Sequence, residues 1–529
     1  MFKVLVSDPI SDLGIQKLMD AEDVSVEKKT GLTEDELVQI IGEYDGLLVR
    51  SQTRVTEKIM EAGKGLKVIG RAGVGVDNID LEAATKRGII VINAPDGNTI
   101  TTCEHTFAMM MALARHIPQA YAKTIHGTWD RKSFLGVELR NKTLGVLGMG
   151  RIGSEVAKRA KAFGMNVLAF DPFLTEERAE KLEVKLASVD EIIRQADFMT
   201  VHTPLTPETR HMIARPQFEV MKKGMRIINC ARGGIIDELA LVEAIDEGIV
   251  AGAAFDVFEH EPPASDHPFL THPKVIVTPH LGASTVEAQE NVAIDVSEQV
   301  LHILRDEPFV NAVNMPPVSS SVMSKLQPYF GLGEKLGSFA AQITADAVSE
   351  ILIDYAGDLY DVDTQPLTRY ILKGILQRHL GSDVNIVNSM HLAKARDLNF
   401  VVTKTPKTKG FTNRITVTLK TQSGKNRLVA GTLLPGYGER IVQLDEFPVD
   451  AAPEGHQILI SHNDKPGIIG RVGTLLGKND VNIASMQVGR KIIGGEAIMI
   501  LTVDKAVPKE VLIDLTGLEE LNTASEIVL

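Results

Sequence analysis

The sequence predicts an α/β protein: two Rossmann-like lobes, the first of them flavodoxin-like, followed by an intervening α+β unit and a ferredoxin-like βαββαβ unit. Three observations predict it. Strand and helix patterns alternate from residue 1 to about 314, which is the signature of a parallel sheet covered by helices. A glycine fingerprint, Gly148-Met149-Gly150-Arg151-Ile152-Gly153, sits between a strand pattern and a helix pattern. From Gly455 to the end the pattern reads strand, helix, strand, strand, helix, strand.

In order along the chain, Phe2–Ser7, Gly46–Val49, Lys67–Ile69 and Ile89–Asn93 are the strand candidates of the first lobe, and Thr33–Ile41 has helical spacing. Glu104–Arg115 is a strongly apolar helix that crosses into the second lobe. There Thr143–Leu147, Asn166–Phe170, Phe198–His202, Arg226–Asn229, Gly252–Phe255 and Val275–Thr278 read as strands. Glu287–Leu304 is a long amphipathic helix expected to return to the first lobe. The expected units are therefore 1–98 completed by 288–314, then 99–287, 318–452 and 453–529. Met315–Ser321 is a linker by composition. Within 318–452, Tyr329–Ala345 and Thr368–His379 carry helix signals, Ile351–Tyr355 and Arg414–Thr421 carry strand signals, and no catalytic motif stands out.

Composition narrows the function classes. The 529 residues are 44% hydrophobic and 24% charged, ordinary for a globular protein of three or four domains. A net charge of −13 argues against nucleic-acid or anionic-membrane binding, so any anion site must be built locally. Cys103 and Cys230 form no metal or redox motif, and no metal site is expected. No apolar run reaches the ~18 residues of a membrane span, and the amino terminus reads as a strand rather than a signal peptide. A soluble cytoplasmic protein is expected.

Each glycine of the fingerprint has a task. Gly148 permits the tight turn, Gly150 lets backbone approach a pyrophosphate, and Gly153 lets helix and strand pack closely. The helix start supplies free N–H groups and a positive dipole to phosphate. Asp171 follows 23 positions after Gly148, at the end of the next strand. Its carboxylate suits ribose hydroxyls and repels a 2′-phosphate, which favours NAD over NADP. Gly73-Val74-Gly75 lacks the third glycine and reads as a tight turn.

Two further residues, Arg232 and His280, sit just past strands, where ligands bind in open parallel sheets. Arg232, flanked by Ala231 and Gly233, can fork onto a carboxylate or keto oxygen. His280, in Thr278-Pro279-His280, can exchange a proton near neutral pH. Glu261 is its natural partner, because a carboxylate bonded to an imidazole orients it and favours its protonated form. Arg50, Ser51 and Arg54 cluster after one first-lobe strand, Arg71 and Gly73 after a second, and Asn98 after a third, a plausible phosphate pocket.

These motifs, with spacings of 29 residues from Arg232 to Glu261 and 19 from Glu261 to His280, resemble those of the D-isomer-specific 2-hydroxyacid dehydrogenases. The resemblance implies hydride exchange between NAD and a 2-hydroxy acid in a cleft between two lobes, with Arg232 on the substrate carboxylate, His280 as acid/base and Glu261 tuning it. It also implies that Thr203, Ala231, Asp256 and Gly282 line the cofactor, with Asp256 reaching the nicotinamide amide. Asp464-Lys465-Pro466-Gly467 and Asp480-Val481-Asn482-Ile483 resemble an ACT domain. With that tail, the chain is similar to the long branch of the family, which implies 3-phosphoglycerate as substrate, a homotetramer, and L-serine as effector on His462, Asp464 and Asn482. Reduction of 2-oxoglutarate, or a non-enzymatic NAD-sensing role, would use the same lobes.

Overall fold

The computed structural model describes residues 1–529 apart from Pro317 and Lys409. The expected linker Met315–Ser321 includes Pro317, which lies outside the described residues.

The first sheet contains β1 (Phe2–Val6), β2 (Val24–Lys28), β3 (Gly46–Val49), β4 (Val68–Arg71) and β5 (Ile90–Asn93), all parallel, in the order β2-β1-β3-β4-β5. This is the flavodoxin-like order. Interior strands such as Gly46–Val49 are buried along their whole length, as a sheet with helices on both faces requires. Val24–Lys28, an edge strand with two exposed charged residues, escaped the sequence reading. The second sheet contains β6 (Thr143–Leu147), β7 (Asn166–Phe170), β8 (Lys185–Leu186), β9 (Phe198–Val201), β10 (Met225–Asn229), β11 (Val250–Phe255) and β12 (Val275–Val277). Its order, β12-β11-β10-β9-β6-β7-β8, places the crossover point at β6, the strand before the glycine fingerprint.

Local chemistry sets the helix ends. The helix Glu34–Ile40 begins with a capping box between Thr33 and Glu36. The helix Leu81–Arg87 begins on the Asp80 side chain and ends on Gly88, which is left-handed at φ 74°. The helix Val286–Leu304 lays Val292, Ala293, Val296 and Val300 on Val4, Val6 and Leu48, so the chain returns to the first sheet as expected. The helix between the lobes starts earlier than the apolar pattern suggested, at Thr99.

The third sheet, β13 (Val348–Gly357), β14 (Asn399–Thr405), β15 (Asn413–Thr421), β16 (Arg427–Leu434), β17 (Gly438–Leu444) and β18 (Phe447–Ala451), runs β14-β13-β15-β16-β17-β18. Helices Phe330–Ile343 and Gln365–Leu380 pack on it. Asn385 reaches back to the first lobe, its amide donating to the Gly88 carbonyl at 2.8 Å. The last sheet contains β19 (His456–Asn463), β20 (Ile483–Arg490), β21 (Glu496–Val503) and β22 (Leu521–Val528), antiparallel in the order β20-β21-β19-β22. One face of that sheet covers its own helices. The other sends Leu459, Ile498, Ile500 and Ile527 into the core of the intervening unit.

Candidate active site

His280 occupies the left-handed region at φ 56°, a conformation a branched or bulky residue adopts only when its surroundings impose it. The surroundings are visible. The His280 N–H donates to the carbonyls of Asp256 and Thr278 at 2.9 and 3.0 Å. The next two N–H groups, of Leu281 and Gly282, donate to the Asp256 carboxylate at 2.7 and 2.8 Å. The turn thus wraps one buried acid and points the imidazole outward. His280 Nδ1 then meets Glu261 Oε2 at 2.7 Å, while Glu261 Oε1 accepts from the Phe258 N–H at 3.1 Å. Burial alone would raise the Glu261 carboxyl, but the hydrogen bond and charge of His280 outweigh it and hold the group below its ordinary value. With Nδ1 taken by the carboxylate, Nε2 is the nitrogen left for chemistry.

Asp256 is fully buried and holds Thr278 Oγ1 at 2.6 Å and His105 Nε2 at 3.1 Å besides the turn N–H groups. Burial pushes its carboxyl up, yet the hydrogen bonds from His105, Thr278 and Leu281 keep it lowered. His105 carried no sequence signal, since it stands on an apolar helix 151 positions upstream of its partner.

Arg232 comes from the loop after β10 and crosses to the first lobe. Its Nε lies 3.4 Å from the Asp77 carboxylate, and a Cβ on Gly75 would fall 2.2 Å from its Nη2. A Cβ on Gly73 would fall 1.5 Å from Arg71 Nη1. The two glycines of the predicted tight turn are therefore the space in which two guanidinium groups lie. Burial, then the charges of Arg232 and Arg50, push the Arg71 guanidinium down to about 10. Three cations that close, with Arg71 Nε buried and unpartnered, form a concentrated anion cradle. Ser51 and Arg54 are exposed on the adjoining loop. Asn98 stands at the N-cap position of the crossing helix without making a side-chain cap bond, and its Oδ1 is buried without a partner.

The fingerprint has the geometry a dinucleotide needs. Gly148 is at φ 98°, and a Cβ there would fall 2.6 Å from the His202 carbonyl; a Cβ on Gly153 would fall 2.0 Å from the Gly148 carbonyl. The helix Arg151–Ala162 starts directly after Gly150. Arg151 pairs with Asp96 of the first lobe. The Asp171 carboxylate accepts from the N–H of Met149 and of Phe173, both at 2.8 Å. Thr203 Oγ1 and His202 Nδ1 are buried and unpartnered beside the loop. Those orphaned atoms, the crowded glycines and the acid at the next strand end fit NAD. Ala231 lies in the loop after β10, its N–H on the Asn229 side chain at 3.0 Å. Gly282 stands against Asp256 and Thr102. Burial pushes the Cys103 thiol up to about 11, and that of Cys230 still further, so neither is a nucleophile at neutral pH.

The three residues expected to hold an effector are not brought together within one chain. His462 is buried with Nε2 unpartnered, and Asp464 pairs with Arg490 Nη1 at 3.0 Å. Asn482 precedes Ile483, which faces Val503, whereas His462 faces Ala497. Six residues of strand put Asn482 about 20 Å away, where it donates to Asp504 at 2.7 Å.

Known proteins show the same organisation. Family models for the NAD-binding domain of D-isomer specific 2-hydroxyacid dehydrogenases, the D-3-phosphoglycerate dehydrogenase intervening domain and the ACT domain match residues 107–282, 325–445 and 456–519. D-3-phosphoglycerate dehydrogenase of Bacillus subtilis is 48% identical over 98% of this chain and 98% of its own length. The enzyme of the same name from Archaeoglobus fulgidus is 45% identical over the whole of both chains. Among solved structures, the TT0316 protein of Thermus thermophilus has a TM-score of 0.54 at 36% identity, covering 59% of this chain and 99% of its own. D-lactate dehydrogenase from Aquifex aeolicus, complexed with NAD and lactic acid, has a TM-score of 0.50 at 30% identity, covering 58% and 96%.

Proposed function

We infer the working of the site from one premise: the chain belongs to the D-3-phosphoglycerate dehydrogenases of the D-isomer-specific 2-hydroxyacid dehydrogenase family. It is an NAD-dependent enzyme that oxidises 3-phospho-D-glycerate to 3-phosphohydroxypyruvate, the first step of L-serine biosynthesis.

In our reading, neutral His280 takes the C2 hydroxyl proton on Nε2 as the C2–H bond breaks and C2–O becomes a carbonyl. Bound against Gly148, Gly150 and Gly153, NAD would supply the acceptor for the C2 hydride. Glu261 stabilises the imidazolium formed and holds the ring in one tautomer. Arg232 forks onto the substrate carboxylate and turns the C2 hydrogen toward the cofactor. Arg71, Arg50, Ser51, Arg54 and Asn98 surround the phosphate end, with Gly73 leaving the room that Arg71 needs. Gly148, Gly150, Arg151, Ile152 and Gly153 cradle the pyrophosphate; Asp171, held by its two backbone N–H partners, takes the ribose hydroxyls on its remaining lone pairs; Thr203, Ala231, Asp256 and Gly282 line the nicotinamide side.

The observation that carries this reading is the 2.7 Å His280–Glu261 pair facing a cleft with three guanidinium groups. Incubating the protein with 3-phospho-D-glycerate and NAD, with the keto product trapped as a hydrazone, should yield NADH. Absence of NADH with intact, folded protein would overturn it.

We further propose that the enzyme is a cytoplasmic homotetramer inhibited by L-serine. Ile117, Tyr121 and Ile125 share one helix face and, with Trp129 and Leu135 of the loop after it, are each more than half exposed, apolar surface that a second copy would cover. The separation of Asn482 from His462 and Asp464 supports a serine site completed by a second chain. Among the described residues no helix is long and apolar enough to cross a membrane. Sedimentation of a monomer at micromolar concentration, or no heat on titrating the intact protein with L-serine, would contradict these assignments.

A further inference from the structure

The loop after β3 supplies Arg50 and Ser51, and one residue far upstream shapes that loop. Asp8 is 1% exposed, just beyond β1. Its carboxylate accepts from the N–H of Arg50 at 2.6 Å, of Gln52 at 3.2 Å and of Thr53 at 3.0 Å, and from the Thr53 hydroxyl at 2.6 Å. On the other side, the Asn78 amide donates to the carbonyls of Arg50 and Thr53 at 2.8 and 2.7 Å. The turn is gripped from both faces. A buried carboxylate gathers N–H groups here as a bound anion would. It takes those of residues 50, 52 and 53, and among the described residues nothing accepts from the Ser51 N–H. Its negative charge also opposes the mutual repulsion of the guanidinium cluster, acting on Arg71 against Arg232 and Arg50.

We propose that Asp8 is a positioning residue for the phosphate end of the substrate. It shapes the 50–53 turn from beneath so that the Arg50 guanidinium and the free N–H and hydroxyl of Ser51 face the cleft, and it thereby sets the preference for a phosphorylated over an unphosphorylated acid. The inference rests on the reading of Arg50 and Arg71 as the phosphate cradle.

The test compares Asp8→Asn with wild type on 3-phosphohydroxypyruvate and on hydroxypyruvate, which lacks only the phosphate. The Asn side chain keeps the size and one acceptor oxygen, so folding is preserved where Asp8→Ala would remove every acceptor beneath the turn; thermal melting checks this. Loss of charge-assisted hydrogen bonds beneath the turn should raise KM for the phosphorylated substrate about 10- to 100-fold. The kcat, the KM for NADH and the kcat/KM for hydroxypyruvate should stay within about threefold of wild type. Equal losses on both substrates, or no change on either, would overturn the proposal and leave Asp8 a purely structural acid. Arg50→Ala is the control. If it too leaves the ratio of the two substrates unmoved, the cradle reading itself fails; if it collapses the ratio while Asp8→Asn does not, only the role of Asp8 fails.

Discussion

The catalytic cleft and the terminal ACT unit build their polar sites in opposite ways. In the cleft, residues remote in sequence converge: Arg71 and Arg232 lie 161 positions apart yet repel one another as neighbours, and Glu261 reaches His280 across 19. In the ACT unit, Asp464 and Asn482 are 18 positions apart yet stand at opposite ends of one sheet. The reason is strand direction. Parallel strands joined by helices all end on the same side of their sheet, so the loops after β3, β4, β10 and β12 deliver Arg50, Arg71, Arg232 and His280 to one cleft. In the ACT sheet, β19 ends where His462 lies and β20 begins at the far end, so residues after one strand and before the next are divided by a strand length. The first geometry gathers Arg71, Arg232, Glu261 and His280. The second leaves Asn482 a strand length from His462 and Asp464.

The sharpest way to break this contrast is at the convergent pair. His280→Ala should lower kcat by roughly 10²–10⁴-fold with NADH affinity little changed, because only the proton transfer is lost. Near-wild-type turnover would remove His280 from the reaction. Arg232→Lys should act next most strongly, raising KM about tenfold with a smaller effect on kcat, since an ammonium cannot fork onto a carboxylate; an unchanged KM would contradict the clamp.

The divergent half predicts weaker effects of a different kind. If serine bridges two chains, Asp464→Ala and Asn482→Ala should each weaken serine inhibition several-fold, and mixing the two variants should restore a fraction of sites with both residues intact. Failure of mixing to restore any inhibition, with each variant still oligomeric, would place the whole effector site in one chain.

The smallest expected effect concerns stability. Burial holds the His202 imidazole down to about 4 against an ordinary 6.5, so it is neutral in the folded protein. Below pH 6.5 the unfolded chain binds a proton there that the folded chain refuses, so stability falls as pH drops from about 6.5 toward 4. The linked loss is about 2 kcal/mol between pH 7.5 and 5. Urea unfolding at both pH values should show His202→Gln losing less than wild type, and parallel losses would contradict the assignment.

What the sequence made legible follows the same division. The strand-glycine-helix context, Asp171 and the residues after strands were readable because each is a local signal attached to a strand end. Asp8, Asn78 and His105 were not readable. Each bonds groups more than 20 residues away, and locally each looks like an ordinary turn or helix residue. Only two of the six strands of the intervening sheet were foreseen. Its strand Asn399–Thr405 is exposed along most of its length and lacks the apolar run that marks a buried strand. The Gly73–Gly75 turn was legible as a turn, but not as the space that two arginines occupy, since that space is defined by residues of both lobes.

If the clustered arginines make the cleft select a phosphorylated 2-keto or 2-hydroxy acid, NADH oxidation with 3-phosphohydroxypyruvate, hydroxypyruvate and 2-oxoglutarate under one set of conditions will show it. The kcat/KM for the phosphorylated acid should exceed that for hydroxypyruvate by about 100-fold or more, the scale of a lost charge-assisted contact set. Equal values, or a preference for 2-oxoglutarate, would contradict it.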